Sequence, residues 1–259
     1  TLDRSSAASD VYKRQILNNM KIKHLLCFIA LCLCFTPGKA QQLSVMTLRN
    51  GATVYIWEDK SKPDVFGMIA FKVGSVDDPE QYTGLAHYLE HVMFKGTQTI
   101  DALDWEKEKP IYEKIIAKYD ERAALSDPTA REAIDKEIND LTREAAQYAA
   151  GNEFSLLVDH MGGQGLNAST GYDQTEYHNS FPPSQLEKWL EIYSERLIDP
   201  VFRGFQTELE AVYEEYNMYN DDRGSRMREF IYEQAFGDHP YARPIIGLPE
   251  HLKNPQLSK

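Results

Sequence analysis

Cysteine is scarce in this chain of 259 residues. There are three, Cys27, Cys32 and Cys34, all close to the N-terminus. Beyond Phe35 no thiol is available, so a disulfide framework is excluded there and any metal must be held by nitrogen and oxygen. Positive charge is also short, with 28 Lys and Arg against 40 Asp and Glu and a net charge of −12. Residues 1–40 hold six of the basic residues and two of the acids, which leaves 22 against 38, or −16, for the remainder. Such a surface repels phosphate backbones and presents no basic patch, so nucleic acid is not an expected partner. Long hydrophobic runs are missing too. The longest, Leu25 to Phe35, is too short to cross a bilayer as a helix. No internal repeat or low-complexity tract is visible.

That short run has flanks of its own. Met20, Lys21 and Lys23 precede it, and Pro37-Gly38-Lys39-Ala40-Gln41 follows. Basic, apolar and small-residue regions in that order predict a secretory signal peptide over 20–40, cut after Ala40. Neither Cys32 nor Cys34 follows the small residues of a lipoprotein signal, so a soluble exported protein is expected, periplasmic or extracellular, with no membrane span in its mature part. Residues 1–19 contain Asp10-Val11-Tyr12-Lys13-Arg14-Gln15, which resembles a translated library adaptor, and this stretch is set aside as an assembly scar. At the other end a helix-like segment opens at Pro249-Glu250-His251-Leu252 and is not closed by Lys259. The mature domain, 41–259, is therefore expected to be truncated at its C-terminus.

Along that domain, Leu43–Leu48 and Thr53–Trp57 flank Asn50-Gly51, a hairpin signal because Asn-Gly tolerates positive φ. Val65–Val73 reads as a further strand. Leu166–Thr170 and Thr175–Phe181, around a Gly171-Tyr172-Asp173 turn, read as a second hairpin. Helices alternate with these strands. The fold class expected is α+β, an antiparallel sheet with helices packed on one face. Residues 105–151 differ in character. Two Lys-, Glu- and Ala-rich helices carry apolar seams, Tyr112, Ile115, Ile116 and Tyr119 in the first and Ile134, Ile138, Leu141, Ala145 and Tyr148 in the second. Pro128 suits the N1 position of the second helix and Gly151 its end. This stretch is expected to be an inserted helical hairpin, a solvated arm on the surface. Capping boxes at Ser184–Glu187 and Thr207–Glu210 are expected to open two later amphipathic helices.

The chemistry concentrates at His87-Tyr88-Leu89-Glu90-His91. On a helix, positions i and i+4 share a face, so the two imidazoles can aim at one point with Glu90 at the edge of that face. H-x-x-E-H is the zinc motif of the inverzincin pattern. A catalytic zinc takes three protein ligands and keeps a fourth place open. With no thiol left, the third ligand is an acid or a histidine. The helix after Thr207 supplies candidates, since Glu208, Val212 and Glu215 share one face. Either glutamate can meet the histidines, with the other orienting an imidazole from behind. A surface helix merely rich in acids would show the same spacing.

Taken together, His87–His91, the strand Leu166-Asn167-Ala168-Ser169-Thr170 and the helix Glu208–Glu215 resemble the N-terminal half of a pitrilysin-type (M16) zinc metallopeptidase. The resemblance covers residues 43 to 259. It implies that His87, His91 and Glu215 ligate one Zn2+, that Glu208 supports them and that Glu90 is the general base of peptide hydrolysis. It further implies that Asn167 and Ala168 lie on an edge strand that pairs with the backbone of a peptide substrate. The stretch between His91 and Glu215 is longer than the family's usual spacing by about the length of the arm 105–151. A homologous C-terminal half, or a partner M16 subunit, is expected to close over the site, so this chain alone is expected to be weakly active or inactive. Two other readings compete. One is a non-catalytic peptide-binding or scaffold subunit of the same fold, against which the intact Glu90 argues. The other is the S-ribosylhomocysteine lyase family, which shares the helix motif but works in the cytoplasm with a cysteine.

Overall fold

A computed structural model of the chain describes residues 43–252. The expected adaptor scar, the signal segment with its three cysteines and the final residues 253–259 lie outside the described residues. The described residues fall into two compact units, 43–61 and 62–252. In the first, β1 (Leu43–Thr47) and β2 (Thr53–Trp57) pair antiparallel with Leu43 opposite Trp57 and Thr47 opposite Thr53. Gly51 takes a φ of 87°, a left-handed conformation that costs glycine little, and Asn50 Oδ1 accepts from Ala52 N–H at 3.1 Å.

The second unit contains a three-stranded antiparallel sheet of β3 (Val65–Phe71), β4 (Gln164–Thr170) and β5 (Thr175–Phe181), in the order β3-β5-β4. β4 is thus an edge strand among the described residues. Its helices are α1 (Leu85–Val92), α2 (Trp105–Ala124), α3 (Pro128–Ala145), α4 (Glu153–His160), α5 (Leu186–Ile198), α6 (Phe205–Asp221), α7 (Arg223–Phe236) and α8 (Pro249–Leu252). None is long and apolar enough to cross a membrane.

The sheet buries one face. Along β5, Thr175, Tyr177, Asn179 and Phe181 alternate inward, as a period of two requires. Tyr177 and Phe181 share a buried cluster with Phe154 and Val158 of α4 and Trp189, Ile192 and Tyr193 of α5. A Cβ at Gly67 would come within 2.7 Å of the Phe181 and Trp189 rings, so the bare backbone there lets Trp189 approach the sheet. Trp189 Nε1–H and Tyr193 O–H both donate to Asn179 Oδ1, at 2.8 and 2.7 Å, which satisfies a fully buried amide oxygen. The opposite face exposes Phe66 and Met68. This is the expected α+β architecture with helices on one side.

Two expectations need correction. The hairpin α2–α3 is not a solvated arm. Ile111, Ile115, Tyr119, Ile134 and Ile138 share one buried cluster with Tyr88 and Val92 of α1 and Phe205, Leu209 and Val212 of α6. Burying a side chain of this size is worth about 1.5–3 kcal/mol, so a row of them fastens the hairpin to the helices it touches. The capping boxes do not form either. A 3-10 turn at Pro183–Gln185 leads directly into α5, with no side-chain cap at its start. Gly204, at φ 60°, starts α6 ahead of Thr207, which lies inside the first turn. At α3 the sequence signal holds: Asp127 accepts from Thr129 N–H and Ala130 N–H, with Pro128 at N1. That helix ends at Ala145, however, and a 3-10 turn over Ala146–Tyr148 runs on ahead of Gly151.

Candidate metal centre

α1 carries the two histidines and is held at both ends by buried charge. At its start the Asp78 carboxylate accepts from Gly84 N–H at 2.7 Å and from Ala86 N–H at 2.8 Å. Its negative charge therefore meets the positive end of the helix dipole. Gly84 takes φ 85° with Ile246 O only 2.5 Å from where a Cβ would lie, so no other residue fits that turn. At the far end Arg196 Nε donates to Met93 O at 2.7 Å. Its guanidinium lies 4.3–4.5 Å from the ring centres of Phe94, Phe154 and Tyr177, a buried cation–π cage. Burial pushes this guanidinium down to about 10, against the electrostatic help of Tyr193, Tyr177 and Glu90. Between the ends, Tyr88 O–H donates to Phe205 O at 2.6 Å and fixes α1 against the start of α6.

With α1 and α6 in contact, the side chains converge. Glu215 Oε2 lies 3.6 Å from His87 Nε2 and 3.4 Å from His91 Nε2. Among the described residues, His87, His91 and Glu215 form one group whose ligand atoms all lie within 4.8 Å of one another. Four ligands at about 2.0–2.1 Å around a tetrahedral zinc stand about 3.3–3.4 Å apart. The two nitrogen–oxygen separations, 3.6 and 3.4 Å, are close to that spacing, and two imidazoles with a carboxylate are a donor set that suits zinc. Glu208 lies on the other side of His91, with Oε2 3.5 Å from Nδ1, and its second oxygen pairs with Lys95 Nζ. Spacing left Glu208 and Glu215 equivalent. In the structure, Glu215 faces both Nε2 atoms and Glu208 faces the opposite nitrogen of one ring.

The electrostatics follow from this packing. Burial pushes His87 down to about 4, against the pull of Glu215. Contacts with Glu208 and then Glu215 push His91 up to about 9, outweighing its burial. Glu215 is lowered, chiefly by its contact with His91. For Glu208 burial acts upward, but His91 and Lys95 together bring it below the usual range. Glu90 is half-buried and raised, mainly by desolvation, while the hydroxyl of Thr170 and the charge of His91 act against the rise.

Glu90 Oε2 accepts from Thr170 O–H at 2.5 Å, which links α1 to the end of β4. Asn167 and Ala168 lie on that strand, opposite His178 and Tyr177 of β5, with Asn167 exposed and Ala168 turned inward. A cleft of about 290 Å³ opens beside His87 and Thr170, walled by Tyr172, Tyr219, Arg228 and Tyr232.

Asp78, Arg196, Lys95 and Thr170 were not singled out from sequence. Lys95 had a signal, since it is a basic residue four positions after His91, just past the end of α1. So did Thr170, a polar residue in the inward-facing row of Leu166 and Ala168.

Residues 53–109 and 141–248 match the family model described as Insulinase (Peptidase family M16). An uncharacterized zinc protease of Mycobacterium leprae is 26% identical over 182 residues, 70% of this chain and 30% of the relative. Among solved structures, a protease from Helicobacter pylori superposes with a TM-score of 0.61 at 23% identity, covering 84% of this chain and 41% of that one. Pitrilysin superposes at 0.57 and 21% identity, covering 83% and 18%. The two structural matches show the fold. The chain spans under half the length of each of these proteins. The family model alone matches well over half of the chain, on both sides of the α2–α3 hairpin. The chain belongs to the insulinase family of peptidases, M16.

Proposed function

We propose that this chain is the metal-bearing part of a zinc-dependent endopeptidase that hydrolyses peptides or small unfolded proteins. The observation that carries the reading is the convergence of His87 Nε2, His91 Nε2 and Glu215 Oε2, with Glu90 on the same helix one residue before His91. His87, His91 and Glu215 would hold the ion, and Glu208 would orient the His91 ring from its far nitrogen. Zinc in such a site supplies Lewis acidity, polarising a carbonyl and making water acidic enough to attack near neutral pH.

The chain's own residues do the rest. Glu90 Oε2 is engaged by Thr170, which leaves Oε1 to take the proton of the attacking water and later to pass it to the leaving amine. Burial raises the proton affinity of this carboxylate, which suits a base that must also release its proton. The free edge of β4 offers backbone N–H and C=O groups to an extended peptide near Asn167 and Ala168. Strand addition of this kind supplies affinity with little sequence selection. Membership of M16 supports the peptidase reading, and a match that covers only 30% of the Mycobacterium leprae relative is consistent with a second half that completes the site. Secretion to the periplasm or exterior, directed by residues 20–40, belongs to the same proposal.

The test is cleavage of an unstructured, internally quenched peptide by the natural full-length protein, with and without a chelator. Hydrolysis that stops on chelation and returns with Zn2+ is expected. Hydrolysis that continues in chelator would overturn the reading, and so would a protein that binds the peptide without cutting it.

A further inference from the structure

β4 turns Leu166, Ala168 and Thr170 toward the helices and leaves Asn167 and Ser169 outside, by the alternation of a strand. The first two join the apolar core. The third puts a hydroxyl at the end of the same row, and an inward-facing hydroxyl needs a partner. That partner is the carboxylate of Glu90, at 2.5 Å. Thr170 is also placed by the strand ladder. Its register partner is Thr175, whose Oγ1 lies 3.5 Å away and donates to Val73 O at 3.0 Å. Threonine's branched Cβ restricts χ1, so the hydroxyl has few other directions to point.

Resting on the peptidase reading above, we propose that Thr170 is a positioning residue for Glu90. It fixes one carboxylate oxygen so that the other faces the reacting water, and it ties that orientation to the strand along which the substrate lies. A base on a helix and a peptide on a sheet edge belong to different layers of the fold. This hydroxyl is the direct bond between them, so the base is set relative to the scissile bond rather than to its own helix alone.

The experiment compares Thr170→Val, which keeps the shape and removes the hydroxyl, with Thr170→Ser, which keeps the hydroxyl and loosens it, in the full-length protein. Glu90→Gln serves as the inactive reference. Thr170→Val is expected to lower kcat by about 10- to 100-fold, the scale of a misplaced catalytic group, with KM and zinc content unchanged. Thr170→Ser is expected to recover most of the loss. A second readout does not depend on turnover: Thr170→Val should lower the melting temperature by about 2 °C or more in the Glu90 parent and by nothing further in a Glu90→Ala background. A Thr170→Val variant with wild-type kcat beside an inactive Glu90→Gln would overturn the proposal and leave the peptidase reading standing. An equal loss of stability in both backgrounds would reduce Thr170 to a structural residue and overturn it as well. A wild-type protein that cleaves nothing would remove both.

Discussion

Glu108 is a charged residue in the apolar row of α2, and it is almost wholly buried. Its side chain is 2% exposed and that of its partner Arg203 is 10% exposed. The pair is bidentate, with Arg203 Nε to Oε1 at 2.6 Å and Nη2 to Oε2 at 2.9 Å. Arg203 Nη1 also donates to Lys95 O and Ile100 O, just beyond the end of the histidine helix, at 3.2 and 3.3 Å. The pair therefore pins the α2–α3 hairpin to the segment leaving α1. Glu108→Ala leaves a buried guanidinium uncompensated, a change that costs about 3–5 kcal/mol. At about 2–4 °C per kcal/mol for a domain of this size, the melting temperature should fall by roughly 6–20 °C. The control lies on the same hairpin. Glu137 pairs with Lys118 at 2.7 Å but is 53% exposed, and surface pairs of that kind contribute little to stability. Differential scanning calorimetry of both variants in the full-length protein separates a fastened hairpin from a solvated one. Equal, small shifts for Glu108→Ala and Glu137→Ala would refute the packing described here. Replacing Glu108 and Arg203 together by methionine should recover part of the loss, since no lone charge is then left inside.

Three more outcomes follow from the centre. Glu90→Gln should keep its zinc and lose peptide hydrolysis by about 10²–10⁴-fold, and full activity in that variant would remove Glu90 from the mechanism. Glu208→Gln should weaken zinc binding by about 10- to 100-fold in a competition titration if, as proposed, Glu208 orients the His91 ring, and unchanged affinity would deny it that role. Asp78→Ala should destabilise the protein more than Asp78→Asn in thermal melts, since alanine leaves the N–H groups of Gly84 and Ala86 without their acceptor and asparagine retains one. Equal melting temperatures for the two would contradict the capping role.

Local chemistry was legible in the sequence wherever one residue type fixes one backbone conformation. Asn50-Gly51 gave the β1–β2 turn, Asp127-Pro128 gave the start of α3, and the spacing of His87 and His91 gave a shared helix face. Where two starts competed, the pattern misled. Thr207-x-x-Glu210 has the form of a capping box, but Gly204 at φ 60° had already begun the helix. The fate of the hairpin was illegible for another reason. A seam of Tyr112, Ile115, Ile116 and Tyr119 looks the same whether the helix meets only its partner helix or, as here through Ile111, Ile115 and Tyr119, also Phe205 and Leu209. Glu108 in that row was the available clue, because a charge on a buried face implies a buried partner. Glu208 and Glu215 could not be separated by spacing either, since both lie on the face of α6 that meets α1, and only the depth at which α6 crosses α1 distinguishes them.

The central claim is that α1 and α6 meet around a divalent ion held by His87, His91 and Glu215. Zinc content per chain, measured by elemental analysis of the wild-type protein and of Glu215→Ala purified in parallel, tests it most directly. One zinc per chain in the wild type and a large loss in Glu215→Ala are predicted. A wild-type protein without zinc, or a Glu215→Ala variant that holds it as firmly as its parent, would contradict the account.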